Sequence, residues 1–331
     1  MIVVVGNVGG TNVGESLMVA AAALGYQVTI ERSTDAMSPR RLAQAFMWHL
    51  LGKRPFFLER FSQLVVATCR AGSARILIST GLPISSAALE RLHPRGVVYM
   101  NFSIDDPWNL AHRAPWFLKG LPNYDVIFTT RRSNIADFNR AGCADVRFLP
   151  FAYDPRHFSR PSANTPCPSS DDVVFVGGGD LDRVHFFAEF ARQGLRPKLI
   201  GDYWDRHRAT RSFAVGHKSP SELSFLTAHA AVNLCLVRRA NRDGHVMRSF
   251  QIPAVGGFMI AEDTEHRLLF GLEGECVLYF ATPFEAAQKA RWAIDHPIER
   301  RRMAEAAHRR ITTGQNTYKD RLEQMLEAAQ R

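Results

Sequence analysis

At 331 residues the chain is longer than one ordinary core and suits two α/β domains of about 150 residues each. Hydrophobic residues make up 46% and charged residues 22%, which excludes a disordered chain, because that much apolar surface can offset the entropy of ordering it. The formal charge of +9 favours anionic partners such as nucleotide diphosphates, acidic glycans, anionic lipid or nucleic acid, without choosing among them.

The chain opens on Ile2-Val3-Val4-Val5, an apolar run that lacks the basic start and cleavage site of a signal peptide and reads as a first strand. A glycine-rich loop, Gly6 to Gly14, follows, then a helical pattern from Glu15 to Leu24 and a strand at Gln27 to Ile30, which together make a βαβ unit. Gly9 and Gly14 frame a near-match to a phosphate-binding loop, but Glu15 stands where that loop needs Lys, and the spacing is not that of a dinucleotide fingerprint either. The loop then reads either as a tight turn for close strand–helix packing or as an acceptor contact through Asn7, Thr11 and Asn12. In the stretch 40–70, Phe46, Met47, Trp48, Leu50, Leu51, Phe56, Phe57, Leu58 and Phe61 alternate with Arg and Lys, a pattern of core-facing helix or, less often, of a face resting on an anionic membrane. No run approaches the roughly 20 apolar residues that span a bilayer, so peripheral contact is the one membrane mode left open and the cytoplasm the simplest location.

Further strands are expected at Arg75–Ser79, Gly96–Phe102, Asp125–Thr129 and Val146–Leu149, with a helix at Arg132–Ala141. Asp105 and Asp106, followed by Pro107-Trp108, place two carboxylates and an indole at a strand end. They suit a general base or sugar-binding group, against the alternative of an Asx turn before the proline. Pro155, Pro161, Pro166 and Pro168 mark a linker between Asp154 and Asp172, which divides the chain into domains 1–155 and 171–331. The pattern then restarts with Val173–Val176, Gly177-Gly178-Gly179 and a helix carrying Arg183, a pair suited to a diphosphate.

A strand at Lys198–Ile200, a helix at Ser219–His229 preceded by Lys218, and a strand at Ala231–Leu234 lead to the most informative segment, Arg238 to Gly257. It gathers Asn241, Arg242, Asp243, Gly244, His245 and Arg248 at a strand-to-helix junction. Gln251 shares a helix face with Arg248, and Gly256-Gly257 precede a strand at Phe258–Ile260. From Pro283 the chain is mostly helical. In Ile298–Arg310 the arginines alternate with Glu299 and Glu305 as on a solvated face, so no nucleic-acid partner is expected. The five cysteines, Cys69, Cys143, Cys167, Cys235 and Cys276, show no CxxC pair and suggest neither zinc nor disulfides. The architecture expected is α/β, with two Rossmann-like doubly wound domains facing each other across a cleft.

Several ordered motifs carry a resemblance: Tyr124-Asp-Val-Ile-Phe-Thr129, Leu149-Pro-Phe-Ala-Tyr-Asp-Pro155 with His157, Asp172-Val-Val-Phe-Val-Gly177 with Arg183, Arg242-Asp-Gly244 through Arg248 to Gly257, Ala261-Glu262 and Thr317-Tyr318-Lys-Asp-Arg321. From about Asp105 onward the chain resembles the CgeB-type members of the group-1-like glycosyltransferases. The resemblance implies the GT-B fold and transfer of a sugar from a nucleotide-sugar donor to a hydroxyl acceptor, be it glycan, lipid-linked or small molecule, with no cofactor and no obligatory metal. Related retaining enzymes carry two Glu residues separated by seven positions, the second near the donor ribose. Asp243 and Gln251 occupy that spacing here, and Gln251 also departs from the Glu usual in the closer relatives. These departures motivate the alternative of a non-catalytic protein that binds sugar nucleotides or glycans. On the enzyme reading, Asp105, Asp106 and Arg248 are the catalytic candidates. Gly178, Arg183, Lys218, Asp243, Gly244, His245, Gln251, Gly256 and Gly257 are the donor-binding candidates, and Asn7, Thr11, Asn12 and Trp108 the acceptor-binding ones.

Overall fold

The structure, a computed structural model, describes residues 1–38, 45–46, 48, 50, 52–81, 84–161 and 172–329. Met47, Leu51, Pro166, Cys167 and Pro168 lie outside the described residues. The chain forms two compact units. Unit 1 comprises Met1–Phe151, Arg238–Asp243 and Tyr318–Arg331, and unit 2 comprises Ala152–Val237 and Gly244–Thr317. Beside the division expected at 1–155 and 171–331, the first unit ends at Phe151 and takes in a short piece of the Arg238–Gly257 segment and the C-terminal helix.

Unit 1 runs β1 (Ile2–Gly6), α1 (Val13–Ala23), β2 (Val28–Arg32), α2 (Leu58–Ala71), β3 (Ile76–Thr80), α3 (Ser86–Leu92), β4 (Val98–Ser103), α4 (Pro115–Gly120), β5 (Val126–Thr129), α5 (Ile135–Arg140) and β6 (Val146–Phe148). Its sheet has the order β2-β1-β3-β4-β5-β6, with every pairing parallel. The unbroken Ile2–Val5 run fits this sheet because a strand flanked by two parallel neighbours and covered on both faces has no solvent side to make polar. Helix α2 buries Leu58, Phe61, Ser62, Val65, Val66 and Cys69, the three-and-four spacing of one helix face. The apolar stretch 40–70 thus splits: Leu58 and Phe61 enter the core, whereas Phe46, Leu50 and Phe56 are exposed.

Unit 2 runs β7 (Val173–Val176), α6 (Leu181–Arg192), β8 (Lys198–Ile200), β9 (Ala214–Gly216), α7 (Pro220–His229), β10 (Val232–Cys235), α8 (Arg248–Ala254), β11 (Met259–Glu262), α9 (His266–Phe270), β12 (Leu278–Phe280), α10 (Pro283–Asp295) and α11 (Pro297–Thr312). The final helix, α12 (Tyr318–Ala329), packs on α1 in unit 1. The second sheet is also parallel throughout, in the order β12-β11-β10-β7-β8-β9. Its core is aromatic, with Phe175, Phe187, Phe190, Trp204 and Phe280 packed beneath α6 and α10. Both domains are Rossmann-like and doubly wound, as expected. Strand order reverses between β1 and β3 in unit 1 and between β7 and β10 in unit 2, and ligands of such sheets collect at the carboxyl ends of those strands. Among the described residues no helix is long and apolar enough to cross a membrane.

Candidate functional site

In unit 2 the chain leaves β7 through Gly177-Gly178-Gly179 and enters α6, whose first turn is capped by Asp180 accepting from Arg183 N–H at 3.0 Å. The loop is less open than three glycines suggest. Gly177 N–H donates to Ile200 O and Gly179 N–H to Asp202 O, each at 2.9 Å, so these amides fasten the loop to the end of β8. Trp204 Nε1 holds the Gly177 carbonyl at 2.7 Å, and a Cβ on Gly201 would meet that same carbonyl oxygen at 2.6 Å. Among the described residues, Gly178 is the amide of the three left to face a ligand. Arg183 is buried; its Nη1 donates to Gly178 O at 3.2 Å and its guanidinium lies over the Phe175 ring.

Across the reversal point, the loop after β10 leads to Arg248, the first residue of α8, and Gln251, which share a face as their spacing predicts. Arg248 Nη1 donates to Gln251 Oε1, and its guanidinium lies 5.8 Å from the Phe158 ring centre. Beneath them burial pushes the Cys235 thiol up to about 12, while a Ser249 hydrogen bond and the charges of Arg248 and Arg183 act the other way on the same sulfur. Both arginines thus act on the sulfur at the carboxyl end of β10. The segment that carries Arg248 is held by a buried relay that the sequence reading missed. Val246 N–H donates to Ser249 Oγ at 3.0 Å, and Ser249 Oγ lies 2.8 Å from His266 Nε2. His266 Nδ1 lies 2.9 Å from Glu262 O; a carbonyl only accepts, so Nδ1 carries the proton and Nε2 accepts from Ser249. Burial holds His266 down to about 4, hence neutral. Thr264 Oγ1 completes the arrangement by donating to Gly244 O at 2.8 Å.

The remaining donor-binding candidates divide. Gly244 packs so closely on Glu265 that a Cβ would meet its carboxyl carbon at 2.4 Å, and His245 is buried beside Phe250. Gly256 and Gly257 form a helix cap. Gly256 N–H donates to Pro253 O and Gly257 N–H to Ile252 O, with Gly256 at φ +79°, the Schellman pattern that ends α8. Their amides are spent on α8 and do not face a phosphate. Lys218 follows β9, an edge strand two places from β7, and lies 3.5 Å from Glu222 of the α7 capping box. The structure does not bring it to the two arginines.

Asp243 belongs to unit 1. Its Oδ1 accepts from Arg131 Nε at 2.5 Å, with side-chain exposures of 5% and 2%. Burial pushes its carboxyl up against the pull of Arg131 and of Arg238 N–H. Asp106 is similarly committed. Its Oδ1 accepts from Trp108 N–H at 3.0 Å, the Asx turn, and from Asn134 Nδ2 at 2.9 Å, while Arg242 Nε donates to Oδ2 at 2.7 Å. Burial raises this carboxyl, but the hydrogen bonds from Arg242, Trp108 and Asn134 outweigh it, so it sits below the usual range. Arg242 adopts φ +53°, a strained conformation that its contacts with Asp106 and Asp137 sustain. Of the two carboxylates only Asp105 keeps an exposed side chain, with Oδ1 accepting from Asn241 Nδ2 at 3.0 Å.

Asp105 lines a cavity of about 300 Å³ at the carboxyl ends of β1, β3 and β4, together with Asn7, Thr80, Gly81, Asn101 and Phe117 among others. Thr11 and Asn12 are not among its described lining residues. Asn12 instead folds over its own loop, Nδ2 donating to Gly9 O at 2.6 Å, and the Glu15 carboxylate accepts from Gly9 N–H where a phosphate loop would hold its ligand. A Cβ on Gly6 would meet Gly14 Cα at 2.8 Å, so these glycines serve close strand–helix packing. Trp108 is half-buried and packs edge-on against Phe138 of the core. Among the described residues no group of three or more His, Cys, Asp or Glu side chains is placed to hold a metal ion.

A family model described as glycosyl transferase-like matches residues 183–327. No curated protein matches the chain. Among solved structures, sucrose-phosphate synthase from Thermosynechococcus elongatus is similar at 12% identity and a TM-score of 0.71, covering 100% of this chain and 98% of that one. The Anabaena protein HepE, solved with UDP and glucose, is similar at 10% identity and a TM-score of 0.67, covering 100% and 99%. A glycosyltransferase from Rickettsia africae gives 10% identity and a TM-score of 0.64, covering 99% and 98%. The two parallel sheets, each wound on both faces, are thus the GT-B fold, and a glycosyl transferase-like match lies over most of the second unit.

Proposed function

We propose that the protein is a glycosyltransferase of the CgeB type that moves a sugar from a nucleotide-sugar donor to a hydroxyl acceptor. The observation that carries this reading is the placement of Arg183 and Arg248 in the first turns of the helices that follow β7 and β10, the neighbouring strands at the reversal point of a Rossmann-like sheet. In the reaction the acceptor oxygen bonds to the anomeric carbon, and the bond from that carbon to the phosphate oxygen breaks. The nucleoside diphosphate leaves with the electron pair, and the hydroxyl proton passes to a base. Charge grows on the diphosphate as it departs, and two fixed guanidiniums are aimed where it grows. Arg183 and Arg248 fill this role without an obligatory metal, Gln251 offers a neutral amide to the ribose, and the exposed Asp105 is the carboxylate left to take the proton.

HepE, of the same fold, is solved with UDP and with UDP-glucose, which makes a uridine diphosphate sugar the first donor to try. Purified protein should consume it, with turnover unaffected by EDTA. Arg248→Ala should lower turnover about a hundredfold; unchanged turnover in a folded variant would remove Arg248 from the role. The second reading, a protein that binds sugar nucleotides without transferring them, is favoured by the sealing of Asp243 and the neutral Gln251. Tight UDP binding with neither transfer nor donor hydrolysis would select it.

A further inference from the structure

The cavity of unit 1 holds an acceptor atom with nothing to accept. Asn101, fully buried on β4, donates from Nδ2 to Ser79 Oγ at 2.8 Å and to Gly81 O at 3.1 Å. Because the Gly81 carbonyl cannot donate, the amide is fixed in this orientation, and among the described residues Asn101 Oδ1, on a residue that lines the cavity, is left without a partner. A buried carbonyl oxygen without a hydrogen bond is destabilising, so the site gains from any ligand that brings a donor.

Of the other polar groups in the described lining, Asn7, Ser33, Asp105 and His112 are exposed or half-buried, and the more deeply set ones are already engaged. Thr80 Oγ1 donates to Val5 O, Ser103 Oγ to Asp105 O, and Asp106 is held by Arg242, Trp108 and Asn134. What the cavity offers besides is mostly carbon, from Met37, Ile104, Pro107 and Phe117. At about 300 Å³ it has the room of roughly ten water molecules, at the small end of ligand pockets. A sugar ring carries hydroxyls all round and would strand most of them against these walls.

We propose that this cavity binds a compact molecule with an apolar body and one hydroxyl, the hydroxyl donating to Asn101 Oδ1, and that the acceptor is of this aryl or aliphatic alcohol class rather than a glycan. The binding stands on unit 1 alone; the role as acceptor rests on the transferase reading above.

The probes are 2-naphthol, its methyl ether, which keeps the body and loses the donor, and methyl glucoside, titrated calorimetrically with UDP binding measured on the same preparation. The wild type should bind 2-naphthol at least tenfold more tightly than the ether and more tightly than the glucoside. Asn101→Leu should erase the preference for naphthol over ether, and Asn7→Trp at the exposed rim should block both while UDP still binds. Equal affinity for naphthol and ether, tighter binding of the glucoside, or naphthol binding that survives Asn7→Trp overturns the proposal. If Asn101→Leu does not fold, the wild-type ratio and the rim variant still decide it. Failure to bind UDP with naphthol binding intact would sink the transferase reading and leave the cavity's chemistry standing.

Discussion

Asp243 shows how much a residue's meaning depends on its partner. In the sequence it stands at the spacing of a donor-binding acid, and in the fold it neutralises Arg131 inside unit 1. Removing one member of a buried pair leaves the other charge uncompensated, which costs about 3–5 kcal/mol. Asp243→Ala should therefore lower the urea midpoint strongly, and what remains folded should bind UDP like the wild type. His266 gives a pH signature. Its folded value of about 4 lies below the ordinary 6.5, so the folded state prefers the neutral ring and the unfolded state binds the extra proton. Stability is complete above pH 6.5 and falls as pH drops from 6.5 towards 4, by roughly 3 kcal/mol at most. Thermal unfolding of wild type and His266→Gln across that window should converge on the acid side; parallel curves would place the proton uptake elsewhere.

At the scale of elements, the two glycine-rich turns and the glycine pair look alike in the sequence and do different work. Gly6 and Gly14 let β1 and α1 approach, Gly177 and Gly179 bind the loop to β8, and Gly256 and Gly257 end α8. A helix followed by Gly-Gly is a stop signal on its own, so the capping role could have been read before the fold was known. Gly256→Ala must place a side chain at φ +79°, with its Cβ 3.1 Å from Arg160 Nε. The variant should lose about 1–2 kcal/mol in a urea titration with UDP affinity unchanged; weakened UDP binding at wild-type stability would return Gly256 to the donor site. The Asp105–Asp106 pair makes the same point for loops. An aspartate two residues before a free amide readily forms an Asx turn, but which of the two would do so was set by Asn134 and Arg242, far away in the chain.

For the whole molecule, the C-terminal helix α12 joins the first sheet and not the second. Arg321 fixes it by donating to Pro150 O at 2.9 Å and Phe151 O at 3.1 Å, and burial holds its guanidinium down to about 10. Arg321→Leu leaves two buried carbonyls unpaired, so unit 1 should lose about 2–4 kcal/mol. Hydrogen exchange should show the loss in β1 and α1, against which α12 packs, before it shows in β10 and β11. The sequence by itself determined most of the strands and helices, the two parallel sheets and the shared helix face of Arg248 and Gln251, because apolar periodicity and turn chemistry act over a few residues. Tertiary structure decided what sequence spacing cannot encode: that Asp243 meets Arg131, that His266 sits under Ser249, that Asn101 keeps an open carbonyl, and that α12 returns to α1. Each depends on which strands become neighbours, and burial then turns an ordinary polar side chain into a partner, a relay or a vacancy.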